Sequence, residues 1–261
     1  MAAWREILVF ADGSEDGLAR MRMAWDLAQK HDARLEALVL RPPADLNVVT
    51  EGAVEALRAV AGDQGNRVHV HRIDTGEDDT QAIAAREARL ADIVIFGKPE
   101  TLDNSPLDTD IFAGALLGGG RPCLMLPRWI SPRAFGRRPL IAWRGDEEAA
   151  RALHWALPFL REAQEVRICL ANPRSEREGE DEANMAKLAS YVRRQGVNVG
   201  EPVIRESWED SQRMILSELE GFNADMLVMG AFEMPRLLEE LFGGVTAAIV
   251  REARVPVLLA H

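Results

Sequence analysis

Two adjacent glycines, Gly243 and Gly244, stand directly before a segment of helical character that reads VTAAIVREA. Glycine lets backbone N–H groups approach a ligand closely, and the positive end of a helix dipole attracts an anion such as phosphate. Upstream, the apolar run 226–229 stops at Gly230, as a buried parallel strand does where the chain turns sharply. These features predict an anion-binding loop between a strand and a helix. The alternative is a tight turn that needs a positive φ.

The elements that position this loop are repeated along the chain. A predicted strand at 7–11 leads into a predicted helix at 15–31, and the segment from Pro139, LIAWRGDEEAARALHWALPFL, repeats this opening with Gly145 aligned to Gly13. We infer an internal duplication with a boundary near Ser131. The chain then has two domains, 1–131 and 132–261.

Within each half, short apolar strands alternate with amphipathic helices. This alternation predicts an open, mainly parallel five-stranded sheet with helices on both faces and right-handed crossovers. Ligands of such sheets bind beyond the carboxyl ends of the strands. The predicted strands after the first of each half are 35–40, 68–73, 92–97 and 122–126, then 166–171, 197–205, 225–230 and 255–260.

The composition narrows the classes of partner. Among 261 residues, 42 Asp and Glu outnumber 31 Lys and Arg, and the net charge of −11 disfavours nucleic acid and acidic membrane surfaces. Apolar runs are no longer than single strands or helix faces and the amino terminus lacks signal-peptide features, so we expect a cytoplasmic protein. The two cysteines, Cys123 and Cys169, lie in apolar strand-like runs, and we expect neither a disulfide nor a metal site.

The order of Gly230, the stretch LFGGVT, a helix and the terminal strand VPVLLAH resembles the carboxyl-terminal signature of the universal stress protein family. In nucleotide-binding members this signature runs glycine, two residues, glycine, nine residues, glycine, and then a small or hydroxyl residue, and it wraps a triphosphate. Gly230, Gly243, Gly244 and Thr246 match it, whereas Glu233 occupies the place of the second glycine.

The resemblance implies two tandem α/β domains, flavodoxin-like and of the adenine nucleotide alpha hydrolase-like type. It also implies a stress-response binding or regulatory protein without dedicated catalysis. Two alternatives remain open at this stage: a weak nucleotide-hydrolysing enzyme on the same scaffold, and a structural or assembly module that has lost its ligand.

In the first half, the resemblance gives a set of weaker binding candidates. Nucleotide-binding members carry an aspartate at the end of the first strand that contacts the adenosine part, and Asp12, followed by Gly13 and Ser14, matches it. Gly97 ends the predicted strand 92–97, which aligns with 225–230, so that Gly97 corresponds to Gly230. Asp110 stands where the second half has its second loop glycine, so a carboxylate would oppose a phosphate there.

In the second half the glycine loop is retained, but Arg144 stands in place of the aspartate. Arg144 either pairs with Glu233 or meets an anion directly. We predict that a small anionic ligand, ATP or another adenine nucleotide, binds only in this half. The candidate residues are Ala142, Arg144, Gly230, Glu233, Gly243, Gly244, Val245 and Thr246.

The last expectation concerns the sheet edges. Members of the resembled family dimerise through the last strand of each domain, and both halves of this chain end in such a strand. We predict that the two terminal strands pair antiparallel within one chain, giving an internal pseudo-dimer, with a homodimer as a further possibility.

Overall fold

The structure is a computed structural model that describes residues 4–11, 14–41, part of 51–61, 67–76, 79–98, 106–127, 135–171, 179–205, 210–231 and 245–261. The chain divides into two compact units, Met1–Arg133 and Ala134–His261. Ser131, near which the sequence places the boundary, lies outside the described residues. None of the described helices is long and apolar enough to cross a membrane.

The first unit contains a parallel five-stranded sheet. The strands are β1 (Glu6–Phe10), β2 (Arg34–Arg41), β3 (Val68–Asp74), β4 (Ile93–Gly97) and β5 (Cys123–Leu126). They lie side by side in the order β3-β2-β1-β4-β5, and every pair is parallel.

Helices connect these strands. They include α1 (Glu15–His31), α2 (Thr80–Ala88) and α3 (Pro106–Ala113), and α3 continues into a π-helical segment, Gly114–Gly118. The described residues within 51–61, between β2 and β3, are also helical. The chain proceeds from β1 towards one edge of the sheet, and β4 and β5 are then added on the other side of β1. Right-handed crossovers therefore place α1 on one face and α2 and α3 on the other.

The second unit has the same arrangement. The strands are β6 (Pro139–Trp143), β7 (Arg167–Ala171), β8 (Val203–Arg205), β9 (Met226–Gly230) and β10 (Val257–Ala260). Within this unit they are ordered β10-β9-β6-β7-β8, again with parallel pairs. The helices are α4 (Glu147–Leu160), α5 (Glu180–Arg194), α6 (Ser211–Phe222) and α7 (Val245–Glu252).

The predicted fold class is confirmed. In each unit the first strand stands third in the sheet, which is the 3-2-1-4-5 order of doubly wound Rossmann-type folds, whereas flavodoxin itself has the order 2-1-3-4-5. The inner strands are buried on both faces: Ile7 and Ile93 in the first unit and Leu227 and Val228 in the second are completely enclosed. This burial explains why these strands are continuous apolar runs in the sequence.

One strand is shorter than predicted. The sequence places a strand over 197–205, but β8 covers only Val203–Arg205, and Val199 makes a single bridge to Val166. Pro202 lies between these two pairings and has no N–H to donate to a ladder. The interruption at Pro202 therefore limits this edge strand.

Candidate functional site

A cavity of about 490 Å³ lies at the carboxyl ends of β6, β7 and β9 in the second unit. After β6 the chain continues to one side of the sheet through β7, whereas β9 lies on the other side of β6. The cavity is therefore at the point where the strand order reverses, which is the usual ligand position in open parallel sheets. Its lining includes Ala142 of β6, Ala171 of β7, Gly230 of β9, and Val245 and Thr246 of α7.

Gly230 allows a close approach of helix and sheet beneath this cavity. A Cβ atom at this position would lie 2.6 Å from the backbone nitrogen of Ala149 and 2.7 Å from the carbonyl carbon of Glu148. Those atoms belong to the first turn of α4, and neither is the end of a movable side chain. Only glycine fits where the end of β9 meets the start of α4.

Asp146 caps the amino terminus of α4 and contacts Arg144. Its Oδ1 accepts a hydrogen bond from the Ala149 N–H at 2.9 Å. Its Oδ2 is enclosed and accepts no hydrogen bond from a described residue, although Arg144 Nε lies 3.5 Å away. At this separation the two groups form an ion pair by distance but not a hydrogen bond. Arg144 is therefore held at the cavity by a carboxylate that is itself fixed to the helix.

The sequence offered Glu233 as the partner of Arg144. Glu233 lies outside the described residues, as do Gly243 and Gly244, so that pairing stays a prediction. Asp146 was not among the predicted site residues. Its position directly before EEAA is typical of a helix N-cap, and that signal could have identified it.

The start of α7 provides the other feature that attracts an anion. Val245 is its first residue, and Thr246, the next, is buried. The N–H groups of a first helical turn have no acceptor within the helix, and the helix dipole is positive at this end. Because Val245 and Thr246 both line the cavity, the positive end of α7 lies beside it.

Cys169 lies on β7 in the wall of the same cavity. The pKa of its thiol is raised to about 11, mainly by burial and also by the carboxylate of Glu218, while Arg205 and Arg167 act to lower it. The thiol is therefore neutral at physiological pH and packs as a small apolar group. It is a poor nucleophile in this form, because the reactive species is the thiolate.

The equivalent crevice of the first unit contains a buried arginine. Arg20 of α1 is 5% exposed, and its Nε donates a hydrogen bond to the Phe10 carbonyl at the end of β1, at 3.1 Å. A side chain on Gly97, the last residue of β4, would collide with the Arg20 guanidinium. Arg20 thus occupies the crevice between the ends of β1 and β4. The repeat aligns it with Ala152 of α4, whose short side chain is fully buried.

The sequence did not point to Arg20, and nothing in its local pattern distinguishes it from a surface arginine of α1. Of the candidates predicted in the first half, Asp12 and Gly13 lie outside the described residues. Ser14 caps α1, where its Oγ accepts the Gly17 N–H at 2.9 Å. Ser14 therefore corresponds to Asp146 in the second unit.

Asp110 lies inside a helix and not in a loop. It belongs to α3, and its Oδ1 accepts a hydrogen bond from Gln81 Nε2 of α2 at 2.9 Å. In a helix the N–H of this residue is directed to the carbonyl four residues earlier, at Pro106. The first unit therefore presents helix, and no loop of glycine N–H groups, at this place.

A family model described as the Universal stress protein family matches residues 137–261. A search of proteins of curated function gives no significant match.

Several solved structures are similar over nearly the whole chain. A universal stress protein from Archaeoglobus fulgidus DSM 4304 has a TM-score of 0.76 and 17% identity, covering 98% of this chain and 95% of that one. A protein from Pseudomonas aeruginosa UCBPP-PA14 assigned to the same family has a TM-score of 0.69 and 18% identity, with coverages of 99% and 94%. A functionally unknown protein from Pseudomonas aeruginosa PAO1 has a TM-score of 0.66 and 19% identity, with coverages of 99% and 93%. At these identities the likeness is one of fold.

Proposed function

The second unit belongs to the universal stress protein family, whose model matches residues 137–261, and from this premise we propose that the chain is a stress-response protein that binds one adenine nucleotide in its second unit. The observation that carries the proposal is the cavity at the strand-order reversal, with Gly230 beneath it and the start of α7 beside it. In this proposal the protein acts by binding and regulation, without dedicated catalysis.

Different parts of the cavity suit the base and the phosphates of a nucleotide. Its volume of about 490 Å³ lies within the range typical of small-molecule sites. Ala142, Leu170 and Met229 give it apolar wall against which a base can pack. The amino terminus of α7 supplies backbone donors and a positive dipole for the phosphates.

Two features of the described residues oppose a nucleotide at the equivalent place in the first unit. The Arg20 guanidinium lies between the ends of β1 and β4, where a ligand would enter. The segment that aligns with the glycine loop is helical in α3, and the Asp110 carboxylate adds a negative charge. These differences support a single site for each chain.

The two units provide a matched pair of substitutions as a test. ATP should raise the melting temperature of the wild-type chain by a few degrees at saturating concentration, because a ligand that binds only the folded state stabilises it. Gly244→Asp should abolish this rise, since a carboxylate close to a phosphate opposes it by roughly 1 to 4 kcal/mol. Asp110→Gly, the reverse change at the aligned position, should leave the rise intact.

The proposal fails if Gly244→Asp retains the full ATP-dependent shift, because the nucleotide then binds elsewhere. A turnover assay at millimolar ATP addresses catalysis in the same samples. Steady release of phosphate that Gly244→Asp abolishes would favour the enzyme alternative over a purely binding protein.

A further inference from the structure

Arg144 is the cationic side chain that the end of β6 brings to the cavity. It follows the last residue of β6 directly, and its side chain is 35% exposed, so a ligand can reach it. Asp146 Oδ2 lies 3.5 Å from Arg144 Nε and so pairs with the Nε side of the guanidinium. The opposite edge of a guanidinium carries the two Nη groups, whose N–H fork matches a phosphate.

The residue aligned with Arg144 in the first unit is Asp12, and the two side chains have opposite hydrogen-bonding character. An ionised aspartate only accepts hydrogen bonds and suits the hydroxyl donors of a ribose. An arginine only donates, stays charged, and suits a phosphate. In dinucleotide sites the same exchange separates recognition of a free ribose hydroxyl from recognition of a ribose phosphate.

Arg144 and the start of α7 belong to different elements. The first follows β6 and is fixed by the cap of α4, whereas the second follows β9, yet both line one cavity. The cavity therefore has two separate features that attract an anion. Two carboxylates also line the cavity: Asp181 of α5, and Asp146, which lies 3.5 Å from Arg144 Nε.

We propose that the ligand of the second unit is an adenine nucleotide phosphorylated on its ribose, at the 2′ or 3′ position, as well as on its 5′ position. Arg144 contacts the ribose phosphate, and the start of α7 contacts the 5′ phosphate. This inference rests on the proposed function, because it assumes that the cavity takes an adenine nucleotide.

Three isomers allow a direct test. ADP, adenosine 2′,5′-bisphosphate and adenosine 3′,5′-bisphosphate contain the same atoms and differ in where the second phosphate is attached. Calorimetric titration of the intact wild-type chain should show at least one of the bisphosphates binding about tenfold or more tightly than ADP, as one charge-assisted bidentate contact allows.

Variants at Arg144 test whether this residue causes the preference for a bisphosphate over ADP. Arg144→Ala should remove it, and Arg144→Asp, which imports the aligned residue of the first unit, should reverse it in favour of ADP. Arg151→Ala is the matched control, because Arg151 also carries one positive charge close to the start of α4 but pairs with Glu147 and does not line the cavity. It should keep the wild-type ratio of affinities. Melting temperatures of all variants verify that they are folded.

Each outcome decides the inference. If wild type binds ADP as tightly as both bisphosphates, or if Arg144→Asp keeps the wild-type order, the ribose phosphate is not the group that Arg144 recognises. If none of the three isomers binds and ATP does not bind either, the proposed function fails together with this inference. Binding of ADP without discrimination overturns only the inference.

Discussion

Gly97 and Gly230 end equivalent strands, β4 and β9, but different neighbours exclude a side chain at each. At Gly97 the neighbour is the guanidinium of Arg20, the end of a long side chain. At Gly230 the neighbours are backbone atoms of Glu148 and Ala149 in the first turn of α4. The second obstacle is the more rigid one, because it moves only if the helix moves.

We therefore expect Gly230→Ala to be the more destabilising of the two matched substitutions. It should lower the free energy of unfolding by about 1 to 3 kcal/mol, the usual cost of overpacking. Gly97→Ala should cost less, because the Arg20 side chain can shift. Urea denaturation of both variants measures the difference, and a larger loss for Gly97→Ala would show that Arg20 is the more rigid neighbour.

Cys169 links stability to alkaline pH. Its thiol has an ordinary pKa of 9.0 in the unfolded chain and, because of burial, one of about 11 in the folded protein. Between these values the unfolded chain loses a proton that the folded protein keeps. The contribution of this thiol to stability is therefore complete below pH 9 and is lost as the pH rises towards 11.

The free energy of unfolding should fall by roughly 2 kcal/mol between pH 8.5 and 10.5 through this thiol alone. Other groups titrate in the same range, so the comparison is between wild type and Cys169→Ala at both pH values. Wild type should lose more stability than the variant. Equal losses in the two proteins would mean that Cys169 ionises as readily in the folded state as in the unfolded chain.

At the scale of elements, each unit ties the segment before its first strand to the aspartate that precedes its fourth strand. Asp92 Oδ2 accepts the N–H groups of Arg5 at 2.6 Å and Glu6 at 3.0 Å. Asp225 accepts three N–H groups, at distances of 2.9 to 3.1 Å, from Gly136, Arg137 and Arg138. The carboxylate thus positions β1 in one unit and β6 in the other.

Asp225→Ala should lower the free energy of unfolding by about 2 to 4 kcal/mol, because hydrogen bonds to a charged group contribute more than neutral ones. Asp92→Ala removes two such bonds instead of three and should cost less. Denaturation curves of the two variants provide the measurement. A greater loss of stability for Asp92→Ala would contradict the view that these backbone hydrogen bonds are the main contribution of the two aspartates.

Much of the element order could be predicted from the sequence, because it depends on local signals. The helix predicted at 15–31 coincides with α1, whose N-cap is Ser14 and whose end is closed by Asp32 in the left-handed conformation. α6 likewise ends at Asn223, which has the same left-handed conformation. Caps of this kind are visible in a single sequence.

Features that depend on distant contacts could not be predicted in this way. Arg20 reaches β1 and β4, and the Asp110–Gln81 hydrogen bond joins α3 to α2, so neither has a local signature. For the candidate site, the predicted residues Ala142, Arg144 and Gly230 line one cavity together with Val245 and Thr246. That they bind a ligand stays a prediction, as do the roles of Glu233, Gly243 and Gly244.

For the whole molecule, the remaining prediction concerns the pairing of the two terminal strands, β5 and β10. β5 and β10 are the last strands of their units along the chain. Within its own unit, β5 pairs with β4 and β10 pairs with β9. We expect β5 and β10 to pair antiparallel, because an unpaired edge strand exposes backbone groups that promote aggregation.

Hydrogen exchange followed by NMR tests this pairing residue by residue. If the terminal strands pair, the amides of Cys123–Leu126 and Val257–Ala260 that do not bond to β4 or β9 should exchange as slowly as those of the inner strands. Fast exchange at these amides would leave both edges open. Light scattering would then distinguish a single chain from a homodimer.

If the two units differ in function as proposed, each chain has one nucleotide site. Calorimetric titration of the intact chain with ATP tests it most directly, because the stoichiometry counts sites without reference to any substitution. We expect one ATP bound for each chain. Two sites for each chain, or no binding at millimolar ATP, would contradict it.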